Sequence, residues 1–479
     1  MTGRERGVMS LTYCVAVVGC GQLGGRLAKE LCRFFNSLEE NVLKRIALFD
    51  NAIVDESDIK MQEFLSDDIG WHKSAVLASV YSEAFSNIKI KGFGEVSDVG
   101  QFRSQIGLTN IYNTSEHITL IFDMSGCGKR VSRVIRAFFN GYPNCIVFTP
   151  CKNTLHTAIK LAGTVIEAPV ASSRRKEYTV TEAMRVCRLC LAKTAMMVTD
   201  GKLSNTELQL ANDGVGVGFL KDQMSGGKPT TVQFSKKNEK LLCVTVGCGG
   251  TGGNFIKEFV HTQMAGNENV SLLMIDGDRV EEKNLSRQPF GESDILQNKA
   301  RCLKQDLFAE FPQLEGRLFD FPFYVDDISD LITALELTGN NGKILLIGAV
   351  DNHRARQVME QFYDVSEDCI YIDAANEWSN GEVVVSVKKS GKEYSPRRSF
   401  YYPEVLTDKS PSASELSCGV VNQSFPQHFC TNLASAQGVL GAIEPIVRTG
   451  RVRGGIFYFD AFREYARFQE VWINNQQCS

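Results

Sequence analysis

The chain has 479 residues, of which 43% are hydrophobic and 23% charged, and its formal net charge is −4. This length exceeds one ordinary core and predicts two domains, while the charge offers no basic field for nucleic acid or anionic lipid. No apolar run is long enough to span a bilayer and no signal-peptide pattern opens the chain, so we expect a cytoplasmic protein without a membrane partner. Its 15 cysteines are irregularly spaced, which predicts reduced thiols and no disulfide framework.

The first predicted strand enters a glycine-rich turn at Val15–Gly25, VAVVGCGQLGG, and a helical segment follows. The same pattern returns at Val244–Gly253, VTVGCGGTGG. The corresponding glycines are Gly19 with Gly247, Gly21 with Gly249 and Gly24 with Gly252, each pair 228 residues apart. Such a turn lets the backbone approach a phosphate and points helix N–H groups at it. Alone it is a weak signal, because a tight turn without a ligand uses the same glycines.

The two halves also match beyond the glycine turns. Asp50 and Lys73 are 23 residues apart in the first half, and Asp276 and Lys299 have the same separation in the second. Later apolar strands and a closing helix recur in the same order. Because five ordered matches rarely arise by chance, the sequence predicts an internal duplication.

Strands that alternate with helices indicate an α/β fold with a mainly parallel sheet in each half. We predict two tandem Rossmann-like domains, residues 1–235 and 236–479, divided in the polar stretch GGKPTTVQFSKKNEK. Two copies in one chain also predict an intramolecular pseudo-dimer, the covalent version of a homodimer.

Polar residues of the second half indicate the kind of nucleotide. Asp276 ends the second strand, where an acid normally holds the adenosine ribose hydroxyls. Arg287 and Lys299 follow, and such cations suit the β- and γ-phosphates of a triphosphate. Asp351 ends the later strand ILLIGAVD, where a carboxylate suits Mg²⁺ shared with phosphates. A redox dehydrogenase is disfavoured, since hydride transfer has no use for the two cations.

The motifs GCGGTG, IDGDRVEEKNLSRQ, NKA and VDNHRAR resemble the ThiF, MoeB and ubiquitin-activating superfamily over nearly all of residues 241–472. The resemblance implies adenylation of a C-terminal carboxylate by ATP and Mg²⁺, without a catalytic base, and with Arg287, Lys299 and Asp351 as catalytic groups. The ATP-site residues it implies are Gly247, Gly249, Gly250 and Gly252 in the phosphate loop, Asp276 at the ribose, Asp278, Asn284, Arg287, Gln288 and Lys299 around the nucleotide, Asp351 on Mg²⁺ and Asn352 in the pocket wall.

The first half has lost most of these positions. The replacements are Gln22 for Gly250, Ala52 for Asp278, Asp58 for Asn284, Met61 for Arg287 and about Ser125 for Asp351. Asp50 and Lys73 remain. Without the arginine and the metal carboxylate, the first half is predicted to be an inactive adenylation domain and the second half the active one.

Two arginines precede the first strand, Arg4 and Arg6. In family dimers an N-terminal arginine of one lobe reaches the triphosphate of the other. The resemblance therefore makes Arg4 and Arg6 candidates for this role, with a charged tail as the alternative.

The chain contains a single CxxC pair, Cys187 and Cys190. Related bacterial proteins close a tetrahedral zinc site with two such pairs. Because two of the four ligands are missing, we predict no structural zinc.

A segment poor in regular pattern covers about residues 388–430 and contains Cys418 just before a helix rich in small residues. That position resembles the catalytic cysteine of activating enzymes, which implies a thioester with the substrate at Cys418. A helix N-terminus favours the thiolate. Cys430 is the alternative, and an ordinary buried cysteine is the third interpretation.

The segments YIDAANEWSNGEVVVSV and ELSCGVVNQSFPQHFCTNLASA resemble ThiF-like proteins of bacterial defence or mobile-element operons. This resemblance implies a ubiquitin-like protein as substrate and a ubiquitin-conjugating-like enzyme as partner. Two alternatives stay open, namely adenylation of a peptide without a thioester and a nucleotide-binding regulatory partner without catalysis. The complete set of cations and carboxylates in the second half argues against the regulatory alternative.

Overall fold

The computed structural model divides into two compact units, Met1–Leu210 and Ala211–Ser479. It describes residues 12–36, 38, 42–59, 62, 64–108, 117–126, 128–151, 154–170, 180–200, 208–209, 231–339, 341–410, 427–461 and 465–473. The division falls earlier than the expected boundary between residues 235 and 236, because Val232–Gln233 pairs with Arg451–Val452 of the second unit. None of the described helices combines the length and the apolar character needed to cross a bilayer.

The first unit is built on a mainly parallel sheet with helices between its strands. Its strands are β1 Thr12–Val18, β2 Leu43–Phe49, β3 Ile90–Phe93, β4 His117–Asp123, β5 Cys145–Cys151, β6 Thr154–Leu161, β7 Thr164–Glu167 and β8 Leu208–Gln209. Its helices are α1 Gln22–Asn36, α2 Glu56–Ile59, α3 Lys73–Ala84, α4 Val99–Gln105, α5 Gly128–Gly141 and α6 Val180–Asp200. The order β3-β2-β1-β4-β5 is parallel, and β6, β7 and β8 continue antiparallel.

The second unit repeats this plan with a longer antiparallel extension. Its strands are β9 Val232–Gln233, β10 Leu241–Val246, β11 Val270–Ile275, β12 Leu318–Phe321, β13 Lys343–Gly348, β14 Cys369–Asn376, β15 Asn380–Lys389, β16 Lys392–Ser395, β17 Arg451–Val452, β18 Gly455–Asp460 and β19 Tyr465–Glu470. Its helices are α7 Gly250–Phe259, α8 Lys299–Glu310, α9 Ile328–Glu336, α10 His353–Val365, α11 Arg398–Tyr401, α12 Glu404–Thr407 and α13 Phe429–Thr449. The order β12-β11-β10-β13-β14 is parallel, and β15, β18 and β19 follow antiparallel.

The central strands form because their sequences are apolar on both faces. Every residue of β10, LLCVTV, is buried, as is every residue of β11, VSLLMI. Parallel strands covered by helices on both sides have this continuous pattern. One face of the sheet packs in a core that includes Val244, Leu273 and Tyr371.

The parallel strands of the two units have the same order, and each sheet turns antiparallel after its fifth strand. The predicted α/β fold with two mainly parallel sheets is therefore confirmed. In the second unit successive strands are added toward one edge of the sheet from β10 to β12 and toward the other edge from β13 onward, so the strand order reverses between β10 and β13. A sheet of this kind opens a crevice at the carboxyl ends of its strands at that point. The pseudo-dimer packing of the halves stays a prediction.

Candidate active site

A cavity of about 630 Å³ lies at the carboxyl ends of β10, β11, β13 and β14. It is thus located at the reversal of strand order, and its size is typical of a ligand site. Ten of the predicted ATP-site residues line it: Gly247, Gly249, Gly250, Asp276, Asp278, Arg287, Gln288, Lys299, Asp351 and Asn352. Parallel strand ends meet at one edge of the sheet, which brings together residues far apart in the chain.

The glycine turn places the start of helix α7 against this cavity. Gly247 has a φ of 93°, a conformation that favours glycine. Gly252 does not line the cavity, but a Cβ there would lie 2.9 Å from the carbonyl carbon of Gly247, so its role is close packing of the turn. Helix α7 begins at Gly250 without a side-chain cap. Its first N–H groups therefore remain available for an anion.

Asp276 holds the glycine turn and also lines the cavity. Its Oδ2 accepts a hydrogen bond from Cys248 N at 2.7 Å, and its Oδ1 accepts one from Asp278 N at 2.8 Å. A carboxylate has about four lone-pair sites, so two such bonds leave capacity for further donors. The expected ribose hydroxyls are donors of the required kind.

Lys299 is a buried ammonium with an exchangeable counter-ion. Its Nζ lies 2.7 Å from Asp278 Oδ2, and Tyr324 Oη donates to Asp278 Oδ1 at 2.6 Å. Burial opposes the charge of Lys299, but the carboxylates of Asp276 and Asp278 outweigh it and raise the pKa of the ammonium. The side chain of Lys299 is 8% exposed and that of Asp278 is 48% exposed. The cation is therefore fixed in the cavity, while its partner carboxylate faces water and could give way to phosphates.

Three further polar groups of the cavity lack partners within the described part of the chain. Arg287 and Asp351 line the cavity without a salt bridge among the described residues. Gln288 is buried, and no donor in the same part of the chain forms a hydrogen bond with its Oε1. A guanidinium and a carboxylate without salt bridges, together with an unpaired amide oxygen, fit a polar, anionic ligand that brings its own cation.

The side chains around Asp351 fit a Mg²⁺ that is shared with phosphates and water better than they fit a metal ion coordinated only by protein side chains. Among the described residues no cluster of three or more His, Cys, Asp or Glu side chains could cage a metal ion. Mg²⁺ usually keeps several waters and binds through one or two carboxylates plus substrate phosphates. One exposed carboxylate beside the cationic groups matches that pattern.

Asn284 does not take the position expected from the sequence. Its side chain is buried and outside the cavity, and Oδ1 accepts a hydrogen bond from Glu281 N at 3.0 Å. In the first unit Asp58 caps the same turn, since its Oδ2 accepts a bond from Asp55 N at 2.9 Å. The side chain at this position thus stabilises a turn in both units, and Asn284 lies outside the cavity lining.

In the first unit the charge of Lys73 is balanced by the carboxylate of Asp58. Lys73 Nζ lies 2.6 Å from Asp58 Oδ1 and 3.4 Å from Gln62 Oε1. Strand register also corrects one sequence assignment. Asp123 and Gly348 occupy equivalent positions, so Gly126, and not Ser125, stands opposite Asp351. The described first unit therefore has no carboxylate at the position of Asp351.

The ion pairs of Lys73 and Lys299 differ in burial, so we predict that removing their carboxylates has different effects on stability. We expect Asp58→Ala to lower the free energy of unfolding by about 3–5 kcal/mol, because the Lys73 ammonium would stay buried without its carboxylate. The side chains of Lys73 and Asp58 are only 10% and 6% exposed. Asp278→Ala is the control and should cost less, since the side chain of Asp278 is 48% exposed and its ion pair is already weakened by water. Denaturant unfolding followed by circular dichroism measures both, and equal losses would contradict this interpretation.

The structure describes some of the cysteines singled out in the sequence and not others. Cys187 and Cys190 are buried on α6, where Cys187 Sγ donates to Leu23 O at 3.3 Å and burial raises the pKa of Cys190. Cys430 is buried in the first turn of α13. Cys418, Arg4 and Arg6 lie outside the described residues. The absence of structural zinc stays a prediction.

The segment expected at about 388–430 is more regular than its sequence suggests. Up to residue 410 it contains the end of β15, then β16, α11 and α12. Arg398 anchors this stretch, because its guanidinium pairs with the buried Asp373 at 3.1 Å. Short helices of one turn have little sequence periodicity, and for this reason the pattern did not reveal them.

Several cavity residues were missed by the sequence analysis: Tyr324, Arg356, Asn376, Trp378 and Gln427. Arg356 supports the Asp351 turn, since its Nη2 donates to Val350 O at 2.6 Å and its Nε lies 3.2 Å from Asp373 Oδ2. It belongs to the quoted motif VDNHRAR, so the motif could have indicated it. Tyr324 gives no such signal, because only the fold brings the end of β12 beside β11.

The strand order, the glycine turn before a helix N-terminus and the polar cavity at the strand ends together define a nucleotide-binding fold of the Rossmann type. Residues 224–479 match the ThiF family, and the chain belongs to this family. No curated protein matches the chain.

Solved structures resemble parts of the chain at low identity. Escherichia coli MccB with MccA-N7isoASN is 14% identical, covering 49% of this chain and 66% of that one, with a TM-score of 0.35. Selenomethionine PaaA is 16% identical over 50% of this chain and 65% of its own, with a TM-score of 0.35. Escherichia coli MccB with ATP is 14% identical over 49% and 64%, also with a TM-score of 0.35. The chain spans slightly less than two thirds of the length of these relatives.

Proposed function

We propose that the chain is an adenylyltransferase that uses ATP to activate the C-terminal carboxylate of a protein or peptide. The observation that carries the proposal is the convergence of Arg287, Lys299 and Asp351 on one cavity beside an uncapped helix N-terminus. That cavity lies in the part of the chain that matches the ThiF family. Solved structures of Escherichia coli MccB contain ATP in one case and selenomethionine MccA in another.

In the proposed reaction an oxygen of the substrate carboxylate attacks the α-phosphorus of ATP. The bond from this phosphorus to the oxygen that bridges the α- and β-phosphates breaks, which leaves an acyl-adenylate and pyrophosphate. The attacking carboxylate is already an anion, so no base is needed. Two anions, the substrate carboxylate and ATP, must instead be held together. The N–H groups of α7, Arg287 and Lys299 neutralise their charge. Mg²⁺ held by Asp351 supplies further neutralisation of the phosphates when bound.

We further propose a ubiquitin-like protein as the substrate and Cys418 as a thioester-forming residue. The thiolate sulfur would attack the acyl carbonyl, the bond from this carbon to AMP would break, and AMP would leave. The acyl group could then pass to a conjugating enzyme. Support comes from the family resemblance and from the position of Cys430, which is buried in α13 and so less suited to receive an acyl group.

The first unit is proposed to be catalytically silent. Its lysine is balanced by Asp58, and glycine stands opposite Asp351. An arginine from the N-terminal segment, Arg4 or Arg6, is proposed to reach the triphosphate. This division of labour leaves residues 236–479 as the adenylating part.

ATP–pyrophosphate exchange tests the proposed function. The full chain is incubated with Mg·ATP, labelled pyrophosphate and a panel of small proteins and peptides that end in glycine. Label should enter ATP with free C-terminal carboxylates and not with the same peptides amidated at the C-terminus. Tight ATP binding without exchange across a panel that includes ubiquitin-like proteins and short peptides would instead support the regulatory alternative.

A further inference from the structure

The start of helix α7 depends on a residue of another helix. Gly250 is the first residue of α7, and a Cβ at this position would lie 2.6 Å from Cγ of Asn432. The side-chain amide of Asn432, in the first turn of α13, thus fills the space that a larger residue 250 would need. Asn432 is 1% exposed, so this contact is inside the protein.

The same amide also contacts two other segments that line the cavity, one at Arg287 and one at Asn376. Its Nδ2 donates a long hydrogen bond of 3.4 Å to the carbonyl oxygen of Arg287. Its Oδ1 accepts one of 3.3 Å from Asn376 Nδ2, which also donates to Thr251 Oγ1 at 2.7 Å. The carbonyl of Arg287 can only accept, so it selects the nitrogen end of the amide and fixes the orientation of the Asn432 side chain. The buried side chain of Asn432 therefore contacts the glycine turn at Gly250, the backbone at Arg287 and Asn376 at the end of β14.

The first unit gives an internal comparison. Helices α6 and α13 both have 21 residues, and their ends correspond at a separation of 249. Ala183 therefore stands where α13 has Asn432, and Gln22 stands where α7 has Gly250. The unit with the predicted active site has the small residue in the turn and the amide in the helix, and the other unit has the reverse.

We propose that Asn432 is a positioning residue for the triphosphate. It sets the distance between the α7 N-terminus and Arg287, so that both groups meet the same phosphates. The inference rests on the proposed function and adds to it a residue that touches neither ATP nor the substrate. Groups that bind one ligand must be held within a fraction of an ångström by the residues behind them.

The test compares a ligand with phosphates to one without. Calorimetry on the full chain gives the Kd of Mg·ATP and of adenosine for Asn432→Ala, and for Asn432→Leu, which keeps the branched shape without the hydrogen-bonding groups. Both variants should bind Mg·ATP roughly ten- to hundredfold more weakly, while adenosine binding stays unchanged. Ser435→Ala is the matched control, because Ser435 is buried one turn further along α13 and lies outside the cavity. It should leave both Kd values unchanged.

A second variant links the two sides of the contact. Gly250→Ala must displace the Asn432 amide, so its effect on Mg·ATP binding should overlap with that of Asn432→Ala and the double variant should be no worse than the worse single variant. Additive losses, or equal losses of ATP and adenosine binding in folded Asn432 variants, would overturn the inference and leave the proposed function standing. A wild-type chain that binds no Mg·ATP would overturn both.

Discussion

Replacing Arg287 with alanine should reduce ATP–pyrophosphate exchange by roughly 10²–10³-fold, the usual effect of removing one group that stabilises transition-state charge. Arg287 lines the cavity and pairs with no carboxylate among the described residues. The guanidinium thus has no structural counter-ion to lose, and the free energy of unfolding should change little. Exchange is measured with a substrate that is active in the panel above.

Arg301→Ala is the control for this prediction. Its side chain is 58% exposed, its nearest carboxylate partner is Asp320 at 3.6 Å, and it does not line the cavity. It should retain full exchange. If Arg301→Ala and Arg287→Ala lose activity alike, general surface charge and not a cavity contact would be responsible. An unchanged rate in Arg287→Ala would remove this residue from the site.

Replacing Cys418 with alanine should abolish a covalent conjugate of enzyme and substrate without stopping pyrophosphate exchange. The experiment mixes the chain, Mg·ATP and a ubiquitin-like protein found active in exchange, and separates the products on a non-reducing gel. A band that a thiol reductant removes is expected for the wild type. Exchange should persist in the variant, because adenylation precedes the proposed transfer to sulfur.

Cys430→Ala is the matched control. The cysteines that the structure describes are all buried, Cys430 among them, and burial of this kind opposes thiolate formation. The band should therefore survive in Cys430→Ala. A band lost in Cys430→Ala and kept in Cys418→Ala would move the thioester to α13. Exchange without any band in the wild type would favour peptide adenylation without a thioester.

The sequence by itself determined the fold class and most of the cavity. Strand and helix patterns are local, so the glycine turns and the α/β alternation could be read directly from the residues. The positions of Asp276 and Asp351 followed because the carboxyl ends of parallel strands share one edge of the sheet. Any residue directly after such a strand has a predictable place.

Only the tertiary structure decided what each polar side chain contacts. Asn284 and Gln288 are four residues apart in one motif, yet the first caps a turn and the second lines the cavity. Asn432 lies more than a hundred residues from Gly250, and nothing in its local sequence indicates that the two touch. Side-chain direction and contacts across elements depend on packing between segments far apart in the chain. Sequence periodicity carries no information about such packing, whereas it fixes the elements themselves.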